Sequence, residues 1–224
     1  MSRWVLRGIK TGIVTTCYPE KKDNSSGVSS GFFLNGNEDS CNFGVFDNGN
    51  NYFEKCIQCF RCKNNAEFTN DYEKVILLNK NAIFPENFKN SIHIRVFDAG
   101  DCGACINEIK LLNNPFYNMH RLGFFITPTP RKADLLIISG VLTEHMKLPL
   151  IKTFEAMPSP KRVILIGTCA SGNGIFKDSF MTLNKITDIV PVDMIIPGCP
   201  PSPLNILYGL MVISGKMKIK VEEK

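Results

Sequence analysis

The apolar residues of this chain gather in short runs, and each run ends at a turn carrying glycine or proline. Residues 92–97, 134–139, 162–166 and 194–196 read in this way as β-strands. Longer stretches between them carry helix signals. Residues 106–113 suit a short helix that stops before Pro115, and 142–156 suit another, punctuated by Pro149 and closed by Pro158 and Pro160. A third, 203–214, has Pro203 at its start and Gly215 just past its end, the asymmetry expected of a helix. Strands separated by helices predict an α/β fold with a parallel sheet and right-handed crossovers. The chain before residue 90 looks different. Up to about residue 81 it is rich in Asn, Gly, Ser and Asp, and 21–50 reads as loop with little regular structure. Two domains are therefore expected, 1–90 and 91–224.

Four cysteines lie just past predicted strands. Cys102 and Cys105 follow the run 92–97, Cys169 follows 162–166 and Cys199 follows 194–196, whereas the run 134–139 ends at Gly140 with no cysteine. The carboxyl ends of parallel strands share one edge of a sheet, and ligands bind in the crevice there. Thiolates far apart in sequence would meet at that edge, all four in turns beside Gly or Pro. Four sulfurs with no histidine nearby suit tetrahedral zinc or an iron-sulfur cluster. Cys102 and Cys105 form one close pair while Cys169 and Cys199 arrive singly, a spread that fits a bulky cluster. Gly100, Gly103, Gly167 and Gly198 fit it as well, because close backbone approach needs small residues.

Composition narrows the setting. The chain has 224 residues, of which 44% are hydrophobic, and 26 basic against 21 acidic residues give a net charge of +5. No basic block is long, so solvated surface is the expectation and nucleic acid is not an expected partner. No run approaches the roughly 18 apolar residues of a membrane span. Arg7 and Lys10 break the apolar stretch 4–14, so no signal peptide is expected there. In the cytoplasm, where thiols stay reduced, nine cysteines point to metal or redox work rather than disulfides.

The motifs then become specific. Asp98-Ala-Gly-Asp-Cys-Gly-Ala-Cys105, followed by Glu108, resembles the cluster loop of the small subunit of membrane-bound, group 4 nickel-iron hydrogenases. Thr129-Pro-Arg-Lys-Ala-Asp134, Gly167-Thr-Cys-Ala-Ser-Gly-Asn-Gly174 and Val190-Pro-Val-Asp-Met-Ile-Ile-Pro-Gly-Cys-Pro-Pro201 continue the resemblance in order, over about 92–215. The same domain is similar to the 20 kDa subunit of respiratory complex I. That subunit has adjacent cysteines in its first loop, so Cys-x-x-Cys favours the hydrogenase branch. Ile106 departs from the pattern, since relatives commonly carry an acidic residue there. The resemblance implies a flavodoxin-like α/β domain holding a proximal 4Fe-4S cluster through Cys102, Cys105, Cys169 and Cys199, with the nickel-iron centre in a separate large subunit. It also gives Glu108 a proton-relay role; from position alone, a carboxylate on the first turn of a helix is explained by the macrodipole. Arg131 reads as a surface ion-pair residue, or through the shared motif as a contact near the cluster or partner.

The N-terminal third carries a second signal. Cys56-Ile-Gln-Cys59-Phe-Arg-Cys62 has the spacing that opens a bacterial ferredoxin repeat, but Ala66 stands where the fourth cysteine belongs and no proline follows. Cys41 is the expected fourth ligand, with Cys17 in reserve. The opening Arg7-Gly-Ile-Lys-Thr-Gly-Ile-Val-Thr-Thr-Cys-Tyr-Pro19 resembles the start of the ferredoxin-like subunit of the same complexes. A small, irregular, degenerate ferredoxin-like module ahead of the hydrogenase small-subunit domain is therefore expected. A zinc knuckle completed by Cys41 or His93 is the alternative for this run. His93, His120 and His145 otherwise read as structural or solvent-facing.

Together these imply two 4Fe-4S clusters relaying electrons between a partner's nickel-iron site and a soluble carrier such as ferredoxin. The chain would be inactive alone. It would sit on the inner face of the cell membrane through other subunits of a membrane-bound complex. A complex I-like quinone oxidoreductase subunit and a zinc-stabilised assembly subunit are the competing readings.

Overall fold

The computed structural model describes residues 3–12, 14–22, 31–69, 71–79, 81–172, 174–176, 179–182 and 185–218. Among these residues the strands are β1 (Phe32–Leu34), β2 (Phe46–Asp47), β3 (Asn50–Asn51), β4 (Glu67–Thr69), β5 (Ile76–Leu77), β6 (Ile92–Gly100), β7 (Phe124–Ile126), β8 (Leu135–Gly140), β9 (Arg162–Ile166) and β10 (Met194–Ile196). The α-helices are α1 (Arg3–Thr11), α2 (Ala104–Leu111), α3 (Glu144–Ala156), α4 (Thr168–Gly172) and α5 (Pro203–Ile213).

One six-stranded sheet dominates, in the order β5-β10-β9-β8-β6-β7. Its last five members pair in parallel, and β5 adds an antiparallel edge against β10. Numbered among themselves, the parallel strands run 2-1-3-4-5, which is the flavodoxin-like order, and that order reverses between β6 and β8. Both faces are covered, so the strands need no polar side. In β8, Leu135 and Ile137 enter a core shared with Ile109 and Leu112 near α2 and with the wholly buried α5; Leu136 and Ile138 enter the opposite core, where Leu150 of α3 packs. Continuous apolar runs are the mark of such doubly covered parallel strands.

Several boundaries differ from the sequence reading. The strand expected at 92–97 continues to Gly100, because Asp98 still pairs with Ser139 before the register shifts. The helix expected at 106–113 begins at Ala104, so Cys105 lies in its first turn and Glu108 in its second, not its first. Cys169 likewise lies on a short helix, α4, rather than in an open turn. The helix expected from 142 starts at Glu144.

The N-terminal region is small and irregular. β1 pairs with β4, β2 with β3, and Phe32, Phe33, Val45, Phe46 and Cys56 form a separate apolar cluster. Within 21–50, expected as loop with little regular structure, only β1, β2, the first residue of β3 and one 3-10 turn form among the described residues; 23–30 lie outside them. The larger core also reaches into the residues before 90. Tyr18, Tyr72 and Phe84 belong to it, and β5 joins the main sheet.

Candidate metal centres

The cysteines past β6, β9 and β10 lie at the carboxyl-terminal edge of the sheet. Backbone closeness explains why β8 contributes none. A Cβ on Gly140 would stand 2.3 Å from the Asp101 nitrogen, so the loop leaving β6 passes directly over the end of β8. Asp98 Oδ1 accepts the N–H groups of Gly100 (2.9 Å) and Asp101 (2.8 Å), holding that loop in its bend. Asp101 Oδ2 accepts the N–H of Ile106 at 2.9 Å and so caps the start of α2. Cys105 then projects from the first helical turn, where amide N–H groups point outward and the helix dipole favours a thiolate.

Space around the sulfurs is tight. A Cβ on Gly167 would lie 2.7 Å from Cys105 Sγ, and one on Gly174 would lie 3.1 Å from Cys169 Sγ. Gly167 is also at φ 85°. Burial pushes the Cys105 thiol far up, with the nearby Asp101, Cys199 and Cys102 adding to it. Cys169 and Cys199 lie close enough to perturb each other. Cys169 donates to Cys199, which raises Cys169 strongly and brings Cys199 down to about 7.

The second set gathers in the N-terminal module. Cys41, Cys56, Cys59 and Cys62 line one pocket, walled by Phe33, Phe46 and Phe60. Cys17 lines a different one with Lys21, Lys22 and Phe116. Cys56 is pushed up to about 11 by burial; the Gln58 backbone N–H draws it partly back, and Cys62, Cys41 and Cys59 raise it. Burial raises Cys62 too, again with Cys41 and Cys59 as neighbours. His93 stands at the other end of β6, beside Asp134 (3.5 Å) and Phe125. Arg131 sits exposed on the turn leading into β8, at the amino ends of the strands rather than by the cysteines.

Both sets are all-thiol, with glycine or backbone N–H next to sulfur, which is the donor chemistry of iron-sulfur ligation. Among the described residues, no three His, Cys, Asp or Glu side chains close around a single ion. The two sets also touch through residues assigned no role of their own from the sequence. Thr168 Oγ1 donates to the Cys56 carbonyl at 2.7 Å, Gln58 Oε1 accepts the Cys199 N–H at 3.4 Å, and Ser171 Oγ donates to the Glu54 carbonyl at 3.0 Å. Thr168, Ser171 and Gln58 lie within the cysteine motifs quoted above, and Glu54 just before one of them.

Residues 102–213, half the chain, match the family described as NADH ubiquinone oxidoreductase, 20 Kd subunit. The chain belongs to that family. The match takes in the strands from β7 to β10, α2, α5 and all four cysteines of the C-terminal set. Formate hydrogenlyase subunit 7 of Escherichia coli (strain K12) is 34% identical over 139 residues, 62% of this chain and 54% of that protein. An NADH-quinone oxidoreductase subunit of Bacteroides thetaiotaomicron is 39% identical over 132 residues, 58% of this chain and 66% of that protein. A chain of the membrane-bound sulfane sulfur reductase, an archaeal respiratory membrane complex, matches at 31% identity with a TM-score of 0.51, covering 58% of this chain and 73% of its own. This member of the 20 Kd subunit family thus spans little more than half to two thirds of the curated relatives. Among its described residues, no helix is long and apolar enough to cross a membrane.

Proposed function

We propose that this chain is the electron-transfer subunit of a multisubunit group 4 nickel-iron hydrogenase, peripheral to the inner face of the cell membrane. Cys102, Cys105, Cys169 and Cys199 would hold a proximal 4Fe-4S cluster, and Cys41, Cys56, Cys59 and Cys62 a second one. When bound, such clusters accept and release single electrons at potentials set by burial, hydrogen bonding and charge. The partners in this reading are a large subunit carrying the nickel-iron centre and a soluble carrier such as ferredoxin. The observation that supports it best is the direct hydrogen-bonded contact between two four-cysteine sets, because a relay requires neighbouring stations.

Glu108 would move protons at the large-subunit face. Its carboxyl is raised by burial, the direction a group that must both accept and donate needs. Its place in the second turn of α2 weakens the macrodipole explanation, which applies to the first turn.

A complex I-like quinone oxidoreductase subunit is the second reading, favoured by the 39% identity to the Bacteroides thetaiotaomicron protein. Isolation of the assembled complex under anaerobic conditions separates the two. Hydrogen evolution from a reduced low-potential carrier supports the hydrogenase; quinone reduction without hydrogen evolution overturns it.

A further inference from the structure

Gln58 lies between Cys56 and Cys59 at φ 54°, the left-handed region that a long side chain seldom occupies. A non-glycine residue is strained there, so its surroundings must hold it in place. They do so at both ends of its amide. Nε2 donates to the Gly31 carbonyl at 3.3 Å, within the N-terminal module, and Oε1 accepts the Cys199 N–H at 3.4 Å, across to the main domain. Thr168, the residue before Cys169, donates to the Cys56 carbonyl at 2.7 Å. Each bridge therefore joins a cysteine of one set to the sequence neighbour of a cysteine in the other.

We propose that Gln58, together with Thr168, is the joint coupling the two thiolate sets, and that the Gln58 carbonyl tunes the reduction potential of an iron-sulfur cluster held by Cys102, Cys105, Cys169 and Cys199. This rests on the ligand reading given above. Gln58 acts as a positioning residue, through Cys199. Its carbonyl oxygen is the negative end of a fixed dipole, and it occupies the Cys199 N–H, which is then not donated to sulfur. Reduction adds one negative charge to the cluster site, and nearby negative charge disfavours that step. Replacing the amide by a carboxylate strengthens the effect; replacing it by a thioether of similar reach removes it.

The test is a potentiometric titration of anaerobically reconstituted full-length protein, followed by electron paramagnetic resonance. Dithionite supplies one electron per cluster, with no bond made or broken. The signal of the C-terminal set is assigned by its loss in Cys169→Ala. Gln58→Glu is expected to lower the midpoint of that signal and Gln58→Met to raise it. Midpoints unchanged, or shifted in one common direction as a merely structural role would give, overturn the proposal. Should Gln58→Met fail to retain iron, Gln58→Glu decides, since it keeps an acceptor at the same reach. Wild-type protein without any iron-sulfur spectrum would instead overturn the ligand reading, a separate and recognisable failure.

Discussion

Gly167→Ala tests whether the C-terminal sulfurs are held in a cradle that tolerates no side chain. The substitution has two costs. At φ 85°, an alanine is strained by roughly 1–2 kcal/mol. Its Cβ would also stand 2.7 Å from Cys105 Sγ, well inside the roughly 3.5–4.0 Å of ordinary contact. Cys105 is only 7% exposed and lies in a helix, so it must leave its rotamer or move the helix. Overpacking of this kind costs about 1–3 kcal/mol. Gly103→Ala is the control. Its φ of 92° carries the same backbone strain, but nothing stands within 4 Å of the new Cβ. The difference between the two variants isolates the sulfur clash at about 2 kcal/mol, or roughly 4–8 °C in a chain of this size. Anaerobic thermal melts of both variants, with iron content after identical reconstitution, measure it. Gly167→Ala should melt lower and hold less iron. Equal melting points and equal iron would refute the cradle.

Two other outcomes follow from the geometry. Cys41→Ala should remove the signal of the N-terminal cluster and leave the other, whereas Cys17→Ala should leave both, because only Cys41 lines the pocket with Cys56, Cys59 and Cys62; paramagnetic resonance of the two variants decides, and the opposite pattern would make Cys17 the ligand. Glu108 has a folded pKa raised by burial, so the folded chain binds its proton more tightly than the unfolded chain, and the stability this contributes is present at low pH and lost as pH rises through the folded value. Glu108→Gln should therefore match wild type in acid and be slightly more stable near neutrality, by less than about 1 kcal/mol given the exposure of the carboxyl; urea titrations across pH would show a difference of opposite sign if helix capping were its main role.

Much of the sheet was legible because its strands are doubly buried and therefore uninterrupted in hydrophobicity. The strands at 162–166 and 194–196 emerge with the expected bounds. The strand from Ile92 outran its expectation because Asp98, a poor strand former by type, is held in register by its neighbours on β8. The start of α2 was hidden by its unusual cap, with Gly103 at φ 92° and Asp101 supplying the acceptor from outside the helix. β5 is two residues long and carries no periodic signal. That the C-terminal cysteines share one edge follows from the common direction of the strands they end. What the sequence hid was the joint between the sets. Gln58 and Cys199 are 141 positions apart, and Thr168 and Cys56 are 112, so their hydrogen bonds have no local pattern from which to be read.

On the function proposed above, one chain holds two neighbouring iron-sulfur clusters. Metal analysis of anaerobically purified protein, joined to its visible and paramagnetic spectra, tests this most directly. Two 4Fe-4S clusters predict about eight irons per chain, broad absorption that bleaches on reduction, and two reduced signals that interact. Stoichiometric zinc without that absorption, or four irons with a single signal, would contradict it.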